Sequence, residues 1–408
     1  MTTGQSDRCS TPIHPHQDPY RWLIMALAAS AFVMAFVSRF AWPPVMPAVM
    51  PVMNIDRTEG LAYMSAFYIG YIITQIPGGI LADRFGPRLV LSTALLLQGL
   101  GTLGLGYTEN YQTGFILRII CGLGGGCVYS SCLKATVNWF SPTQRALALA
   151  VVMSAPTIGV SLPNFIMPAL ESGFGWQGAF RAVGWAVLAT AILLALFMRD
   201  IRVASGPRKN FLVGLKYVAA NRNLVLIALV GFTSLWVQIG FSSVGNDYLV
   251  NTFGLNLKAA GGVMVLYGLA GLVTSILSGY LSGRFPARKK TMLILCHVFL
   301  AGFCLCFGQL GSAGAVVLGA CLIGMAVSFG NVLYSVVVAG NTAPEWMATA
   351  GGVSNSIFQI GALLSPVVIG RAVDLSGNFG LVWWILALGA AAGAVIAAFL
   401  RPWSQSGE

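Results

Sequence analysis

The sequence predicts an all-α integral membrane protein with twelve transmembrane helices. Of its 408 residues, 57% are hydrophobic and only 9% are charged, whereas a soluble domain carries about 25% charged residues. Apolar runs recur along nearly the whole chain, and each is close to the ~20 residues that cross a hydrocarbon core of about 30 Å. This composition excludes a soluble protein and a protein with a single membrane anchor.

The apolar runs place the spans at 21–46, 61–82, 88–107, 112–138, 146–170, 178–198, 224–250, 259–281, 291–309, 314–340, 349–371 and 379–400. The longest polar interruption separates the first six spans from the last six. The predicted domains are an N-terminal tail (1–20), a six-helix bundle (21–198), a central loop (199–223), a second six-helix bundle (224–400) and a C-terminal tail (401–408). Within the central loop, Lys216 and Tyr217 are expected on a short interfacial helix.

Basic residues determine the predicted orientation. With the N-terminus inside, 16 of the 23 Lys and Arg fall in cytoplasmic segments, four in periplasmic segments and three within spans. This distribution follows the positive-inside rule. It predicts a plasma-membrane protein (the inner membrane of a bacterium) with both termini cytoplasmic, and it accounts for the net charge of +11 without nucleic acid as a partner.

The loops after the second and eighth spans repeat one pattern. Residues 78–88 are GGILADRFGPR and residues 279–289 are GYLSGRFPARK. Both combine a helix end, glycine, a small loop and basic residues, six spans apart. A repeat of this kind predicts two pseudo-symmetric six-helix bundles related along the membrane normal.

The first of these loops resembles the signature of the major facilitator superfamily, G-x-L-a-D-r-x-G-r-r. The matching residues are Gly79, Leu81, Asp83, Arg84, Gly86 and Arg88. Arg118-x-x-x-Gly122-x-x-x-Gly126 in the fourth span is similar to another element of that family. The resemblance implies the major facilitator fold and a secondary transporter that works by alternating access, not an enzyme. It also assigns Gly79, Asp83, Arg84 and Arg88 to gating, because this loop latches the outward-facing state in the family.

Ser38-Arg39, together with Pro77-Gly78-Gly79, resembles the anion:cation symporter branch, whose members carry small organic acids and inorganic anions. Members often have aspartate before the span-one arginine and an acid seven residues after the span-four arginine. Here those positions hold Ser38 and Gly125. The carboxylates of an ordinary arginine–carboxylate proton relay are therefore missing.

Two arginines fall within predicted spans at a similar depth. Arg39 lies ~27 Å along its helix from Arg21, and Arg118 lies near the same end of an antiparallel span. An ionisable group at the bilayer centre costs ~2.5–3.5 kcal/mol, so such groups are usually functional. Guanidinium groups bind carboxylates and other oxyanions through two parallel hydrogen bonds. Arg39 and Arg118 are therefore predicted to clamp an anion; the alternative is that each snorkels or bonds neighbouring carbonyl groups.

Neutral polar and aromatic side chains form further predicted substrate contacts: Tyr68, Tyr71, Gln75, Tyr129, Trp236, Tyr267, Asn331, Tyr334, Asn355 and Gln359. The alternative for these groups is hydrogen bonding between helices, which is common in membranes. Asp247, at the outer end of the seventh span, is the candidate carrier of a coupling proton. The alternative is that Asp247 is an ordinary acidic residue at a helix end or in a loop, with no role in coupling.

These observations predict a monomeric secondary active transporter of a small organic anion such as a carboxylate. It would act as a proton symporter, or as an anion exchanger, which needs no protonatable carrier. The alternative is a multidrug or metabolite efflux transporter of the same superfamily. No cofactor is expected, and the cysteines lack the spacing of a metal site.

Overall fold

The computed structural model describes residues 18–201, 211–343 and 346–401. These residues are almost entirely helical and contain no strand. Most of the predicted tails (1–17 and 402–408) and residues 202–210 of the predicted central loop lie outside the described residues.

Thirteen α-helices follow one another in the described parts of the chain. They are α1 (Tyr20–Phe40), α2 (Met46–Met53), α3 (Arg57–Phe85), α4 (Pro87–Leu105), α5 (Tyr111–Trp139), α6 (Pro142–Phe197), α7 (Phe211–Ala220), α8 (Arg222–Phe253), α9 (Leu257–Arg284), α10 (Lys289–Phe307), α11 (Ala313–Gly340), α12 (Met347–Ser376) and α13 (Gly380–Ala398). Eleven of them are long and apolar enough to cross a membrane.

The helix α6 accounts for the twelfth span. Its 56 residues would extend about 84 Å if straight, nearly three times the thickness of a hydrocarbon core. At Gly175 the backbone has φ 67° and is not helical, a conformation that glycine adopts without steric cost. Two spans therefore follow each other directly at Gly175, and the predicted number of twelve is confirmed. The residues between the predicted spans 146–170 and 178–198 continue the helix except at Gly175.

The first span is shorter than predicted. It ends at Phe40, not at residue 46, and the chain turns before entering the short helix α2. Pro43 and Pro44 lie in this turn; proline has no N–H to continue a helix, and it disfavours the helical conformation of the preceding residue. The interfacial helix predicted around Lys216 and Tyr217 is present as α7. Tyr217 stacks on Trp346 with ring centroids 5.8 Å apart.

The helices form two packed halves. Helices α1 and α3 to α6 pack against one another, as do helices α8 to α13, and the pairs α3–α12 and α6–α9 join the halves. Glycines allow the closest helix approaches: a Cβ atom at Gly122 of α5 would overlap the carbonyl oxygen of Phe67 in α3. This is the small-residue packing expected of membrane helices. The residue bounds predicted for the two bundles remain a prediction.

Hydrogen bonds between the halves lie towards one end of the bundle, which we call the Arg57 side; the opposite end is the Asp83 side. Arg57 Nε bonds Asp247 Oδ2 at 2.9 Å, and the Thr58 amide donates to Asp374 at 2.8 Å. Further along α3, the Ser65 hydroxyl donates to the carbonyl oxygen of Leu363 at 2.6 Å. The halves are therefore closed against each other on the Arg57 side.

We predict that Gly122→Ala destabilises the protein, because the added methyl group would force α3 and α5 apart. Overpacking of this kind costs about 1–3 kcal/mol. The measurement is the midpoint of thermal unfolding in detergent. Gly279→Ala is the control, because a Cβ atom there meets no other atom within 4 Å. Equal unfolding midpoints for the two variants would contradict the packing argument.

Candidate functional site

Arg118 is completely buried and bonds to backbone carbonyl groups of two helices. Its Nε donates to the carbonyl oxygen of Tyr63 at 3.1 Å. Its Nη1 donates to that of Ser38 at 3.1 Å and its Nη2 to that of Arg39 at 2.8 Å. The last carbonyl groups of any helix lack partners within the helix, so Arg118 ties the end of α1 to α3. Of the two sequence interpretations of Arg118, the geometry matches carbonyl bonding.

Arg39, on the last turn of α1, has a different environment, made of aromatic rings. Its guanidinium carbon lies 4.4 to 5.5 Å from the centroids of five rings: Phe36, Phe40, Phe67, Tyr68 and Tyr71. Its Nε donates to the Tyr68 hydroxyl at 3.1 Å, and Nη2 donates to the same oxygen. Nη1 makes no hydrogen bond to the described residues. The faces of the Arg39 guanidinium thus contact aromatic rings and its Nε–Nη2 edge bonds Tyr68, whereas the N–H groups of Nη1 have no partner among the described residues.

Neither arginine forms an ion pair with a described residue. The described ion pairs are Arg57–Asp247 and Lys134–Asp83. Arg39 and Arg118 are nevertheless neighbours, as predicted from their depth, because Arg118 bonds the Arg39 carbonyl group. Two permanent positive charges therefore lie together in the protein interior without an acid in contact.

A chain of side-chain contacts leads from Arg39 to the second half of the molecule. Tyr71 lies against Arg39 on one side, and the side chain of Asn355 of α12 lies near the Tyr71 hydroxyl on the other. Gln359, one turn along α12, donates from Nε2 to Asn355 Oδ1 at 3.5 Å. Five of the predicted substrate contacts thus meet where α3 faces α12: Arg39, Tyr68, Tyr71, Asn355 and Gln359.

Two more predicted contacts lie near this group on the Asp83 side. Gln75 follows Tyr71 by one turn on the same face of α3 and is partly buried. Tyr129 of α5 has 44% of its surface exposed, and it is close enough to Tyr71 for the two hydroxyls to interact electrostatically.

The other four predicted contacts lie inside the second half. The Trp236 ring packs against Gly389 of α13, and Tyr267 lies 5.1 Å from the Phe241 ring. Asn331 donates to Gln238 at 3.1 Å, while the Tyr334 hydroxyl bonds His297 Nε2 at 3.2 Å. Contact with a ligand stays a prediction for these four residues. Helical periodicity placed each on a face of its helix, but it could not identify the neighbouring helix.

The predicted gating residues lie at the Asp83 side. Asp83 accepts a hydrogen bond from Lys134 Nζ at 2.6 Å. The Arg88 amide donates to Asp200 Oδ1 at 2.9 Å, and its guanidinium donates to the Ala195 carbonyl group. Burial raises the pKa of the Asp200 carboxyl, and the Arg88 amide opposes this rise. The Arg84 guanidinium lies over the Phe85 ring. A Cβ atom at Gly79 would lie 3.8 Å from Ser130 Cβ.

Asp247, the predicted proton carrier, is fully buried between the halves. Besides Arg57 it accepts a hydrogen bond from Asn251 at 2.7 Å. Sequence reasoning missed Arg57, which it treated only as a basic residue of a predicted periplasmic segment. The partner lies 190 residues away, and nothing in the local pattern indicates the pairing.

Comparison with known proteins agrees with this architecture. The Major Facilitator Superfamily matches residues 27–366. The probable sulfoacetate transporter SauU of Cupriavidus necator is 25% identical, over 94% of this chain and 94% of its own length. The hexuronate transporter of Bacillus subtilis is 24% identical, over 91% of this chain and 93% of its own length.

A solved structure shares the fold. It is a bacterial homolog of the human lysosomal transporter Spinster in an inward-facing and occupied conformation, with a TM-score of 0.76 and 17% sequence identity over 94% of this chain and 95% of that chain. The family match spans most of the sequence, and the helices pack in the corresponding arrangement. The chain is therefore a member of the Major Facilitator Superfamily.

Proposed function

We propose that this protein is a secondary active transporter that moves a small organic anion, such as a carboxylate, across the membrane by alternating access. The observation that carries the proposal is Arg39, which is buried, unpaired with any described acid and left with free donors on Nη1. An anion would supply the missing negative charge. The transporters of sulfoacetate and hexuronate among its relatives support an anionic cargo.

In this proposal the two arginines have separate tasks. Arg39 binds the anion through Nη1, and the Tyr68 hydroxyl, which already accepts two hydrogen bonds from Arg39, donates its own hydrogen to the same anion. Hydrogen bonds of this charged type are roughly twice as strong as neutral ones. Arg118 completes the clamp as a positioning residue, since it holds the end of α1 that carries Arg39.

The remaining predicted contacts complete the cavity in this proposal. Tyr71, Asn355 and Gln359 form its wall between the halves, while Gln75 and Tyr129 line the approach from the Asp83 side. Trp236, Tyr267, Asn331 and Tyr334 would reach the ligand only after the second half repacks. A multidrug or metabolite exporter is the alternative, and its apolar cavity would not depend on Arg39.

We infer that the Asp83 side faces the cytoplasm, in the inner membrane of a bacterium, because most basic residues lie at that side. The structure would then be an inward-open state, closed by the contacts on the Arg57 side. Gly79, Asp83, Arg84 and Arg88 would act when the Asp83 side closes, after Asp83 leaves Lys134. We also propose that the protein works as a monomer.

Asp247 is the proposed site of the coupling proton. Protonation of its carboxyl would remove one charge of the Arg57–Asp247 ion pair and weaken the closure of the Arg57 side. Proton binding would thereby favour opening towards the outside, as a symporter requires. Anion exchange, the other predicted mode, would leave this ion pair as a simple structural contact.

We predict that Arg39→Gln lowers the affinity for the transported anion at least tenfold, because a hydrogen bond to a charged group contributes about 1.5–3 kcal/mol. The measurement is uptake into proteoliposomes from a panel of radiolabelled carboxylates and sulfonates. Arg371→Gln, at an exposed position of α12, is the matched control. Unchanged uptake of every transported anion by Arg39→Gln would overturn the proposal.

Arg118→Gln should give a different result, namely loss of stability as well as of uptake. It leaves up to three buried carbonyl groups without partners, each at a cost of about 1–3 kcal/mol. Thermal unfolding in detergent measures this difference between the two arginine variants. A stable Arg118→Gln protein with normal uptake would contradict the positioning role.

For coupling, we predict that Asp247→Asn abolishes accumulation driven by a pH gradient but preserves exchange of internal for external anion. The amide imitates the neutral carboxyl and cannot release a proton. Asp374→Asn is the control, since Asp374 also bonds across the halves, at Thr58. Gradient-driven accumulation by Asp247→Asn, or its absence in the unmodified protein, would contradict proton coupling through Asp247.

The orientation predicts the behaviour of reporter fusions in a bacterial host. Alkaline phosphatase, which needs the periplasm to fold, should be active after Gly106, between α4 and α5, and inactive after Phe285, between α9 and α10. Green fluorescent protein at these positions should show the opposite pattern. Reversed activities would show that the Asp83 side faces outwards.

A further inference from the structure

Two amide oxygens beside the proposed anion site have no hydrogen-bond partner among the described residues. They are Oε1 of Gln359 on α12 and Oε1 of Gln75 on α3, and both atoms are buried. Gln359 as a whole is only 6% exposed. Because buried polar atoms in proteins are almost always paired, each exception requires an explanation.

Both oxygens belong to side chains connected to Arg39. Gln359 bonds Asn355, the side chain of Asn355 lies near the Tyr71 hydroxyl, and the Tyr71 ring centroid lies 5.2 Å from the Arg39 guanidinium carbon. Gln75 lies one helical turn beyond Tyr71. The two unpaired acceptors therefore lie on helices of opposite halves that pack against each other beside Arg39, Gln75 on α3 and Gln359 on α12.

The chemistry of these atoms restricts the ligand. An amide oxygen only accepts hydrogen bonds, and Nε2 of Gln359 is already directed to Asn355. The ligand must therefore supply donors at a distance from its anionic group. An ammonium group could donate, but Arg39 and Arg118 would repel it in an interior where Coulomb interactions are strong. Neutral hydroxyl groups satisfy the acceptors without this cost.

We propose that the substrate is a hydroxylated organic anion, an inference that rests on the proposed function. Its acid group binds Nη1 of Arg39 and the Tyr68 hydroxyl. Its hydroxyl groups donate to Oε1 of Gln359 and, on the opposite wall, to Oε1 of Gln75. An unsubstituted anion of the same length would leave both oxygens unpaired, and sites built to bond a hydroxyl reject analogues that lack it.

The test compares acids that differ only in their hydroxyl groups. Gluconate is paired with hexanoate and glycerate with propionate, and binding is measured by ligand-dependent thermal unfolding of the purified protein in detergent, which avoids leakage of weak acids through lipid. At least one hydroxylated acid should bind ten times more tightly than its partner, or better. Gln359→Leu should reduce this preference to less than about threefold while leaving the unsubstituted acid unaffected.

Controls separate this inference from the proposed function. Gln309→Leu removes an exposed amide outside the site and should keep the preference; Gln75→Leu provides a second site variant should Gln359→Leu fail to fold. If the unsubstituted acids bind equally or more tightly, and Arg39→Gln abolishes this binding, the inference is overturned but the proposal of anion transport is retained. A preference that survives both glutamine variants overturns it as well. Binding of neither acid in either pair overturns the inference, and binding unaffected by Arg39→Gln overturns the anion site itself.

Discussion

The hydrogen bonds from Arg118 to three carbonyl groups are the constraint on which the site depends. Pro43 and Pro44 end α1 deep in the molecule, and its terminal carbonyl groups cannot reach water there. An unpaired backbone group in a membrane interior costs several kcal/mol. The guanidinium satisfies Ser38 and Arg39 on α1 and Tyr63 on α3 at once. The same bonds fix the backbone of Arg39, so the side chain that we propose binds the anion starts from a rigid position.

This arrangement explains how two arginines can lie together without an acid. Arg118 offsets the cost of its burial with carbonyl dipoles, whereas Arg39 is stabilised by ring faces and by Tyr68. Neither arrangement supplies a negative charge. Aromatic faces attract a cation by only about 0.5–2 kcal/mol, so the surroundings of Arg39 and Arg118 retain positive potential in a region of low dielectric constant. An anion gains from this potential on entering, and the protein gains a counter-ion that no described side chain provides.

The sequence was sufficient to predict the number of spans and the shared depth of the two arginines, because hydropathy and a 1.5 Å rise per residue determine these features. It could not show that Arg118 bonds carbonyl groups, since these belong to every residue and leave no mark in the sequence. It also could not pair Arg57 with Asp247, which are brought together only when the halves meet. The neighbour of Trp236 could not be identified for a related reason: a helical face can pack on a helix in its own half as well as line a cavity.

The helices α3 and α12 connect the ligand site to the closure of the Arg57 side. On α3, Thr58 of the closure and Tyr71 of the site are about 20 Å apart along one helix; on α12, Asp374 and Asn355 are about 28 Å apart. A ligand that bridges Arg39 of α1, which is bonded to Tyr68 of α3, and Gln359 of α12 would draw α12 towards the first half at the site. In the proposed mechanism, a displacement at the site would be passed along α3 and α12 to the Arg57–Asp247 and Thr58–Asp374 contacts. Binding energy at one position can therefore bias whether the opposite end of the same helix pair stays closed, and this is the coupling that alternating access requires.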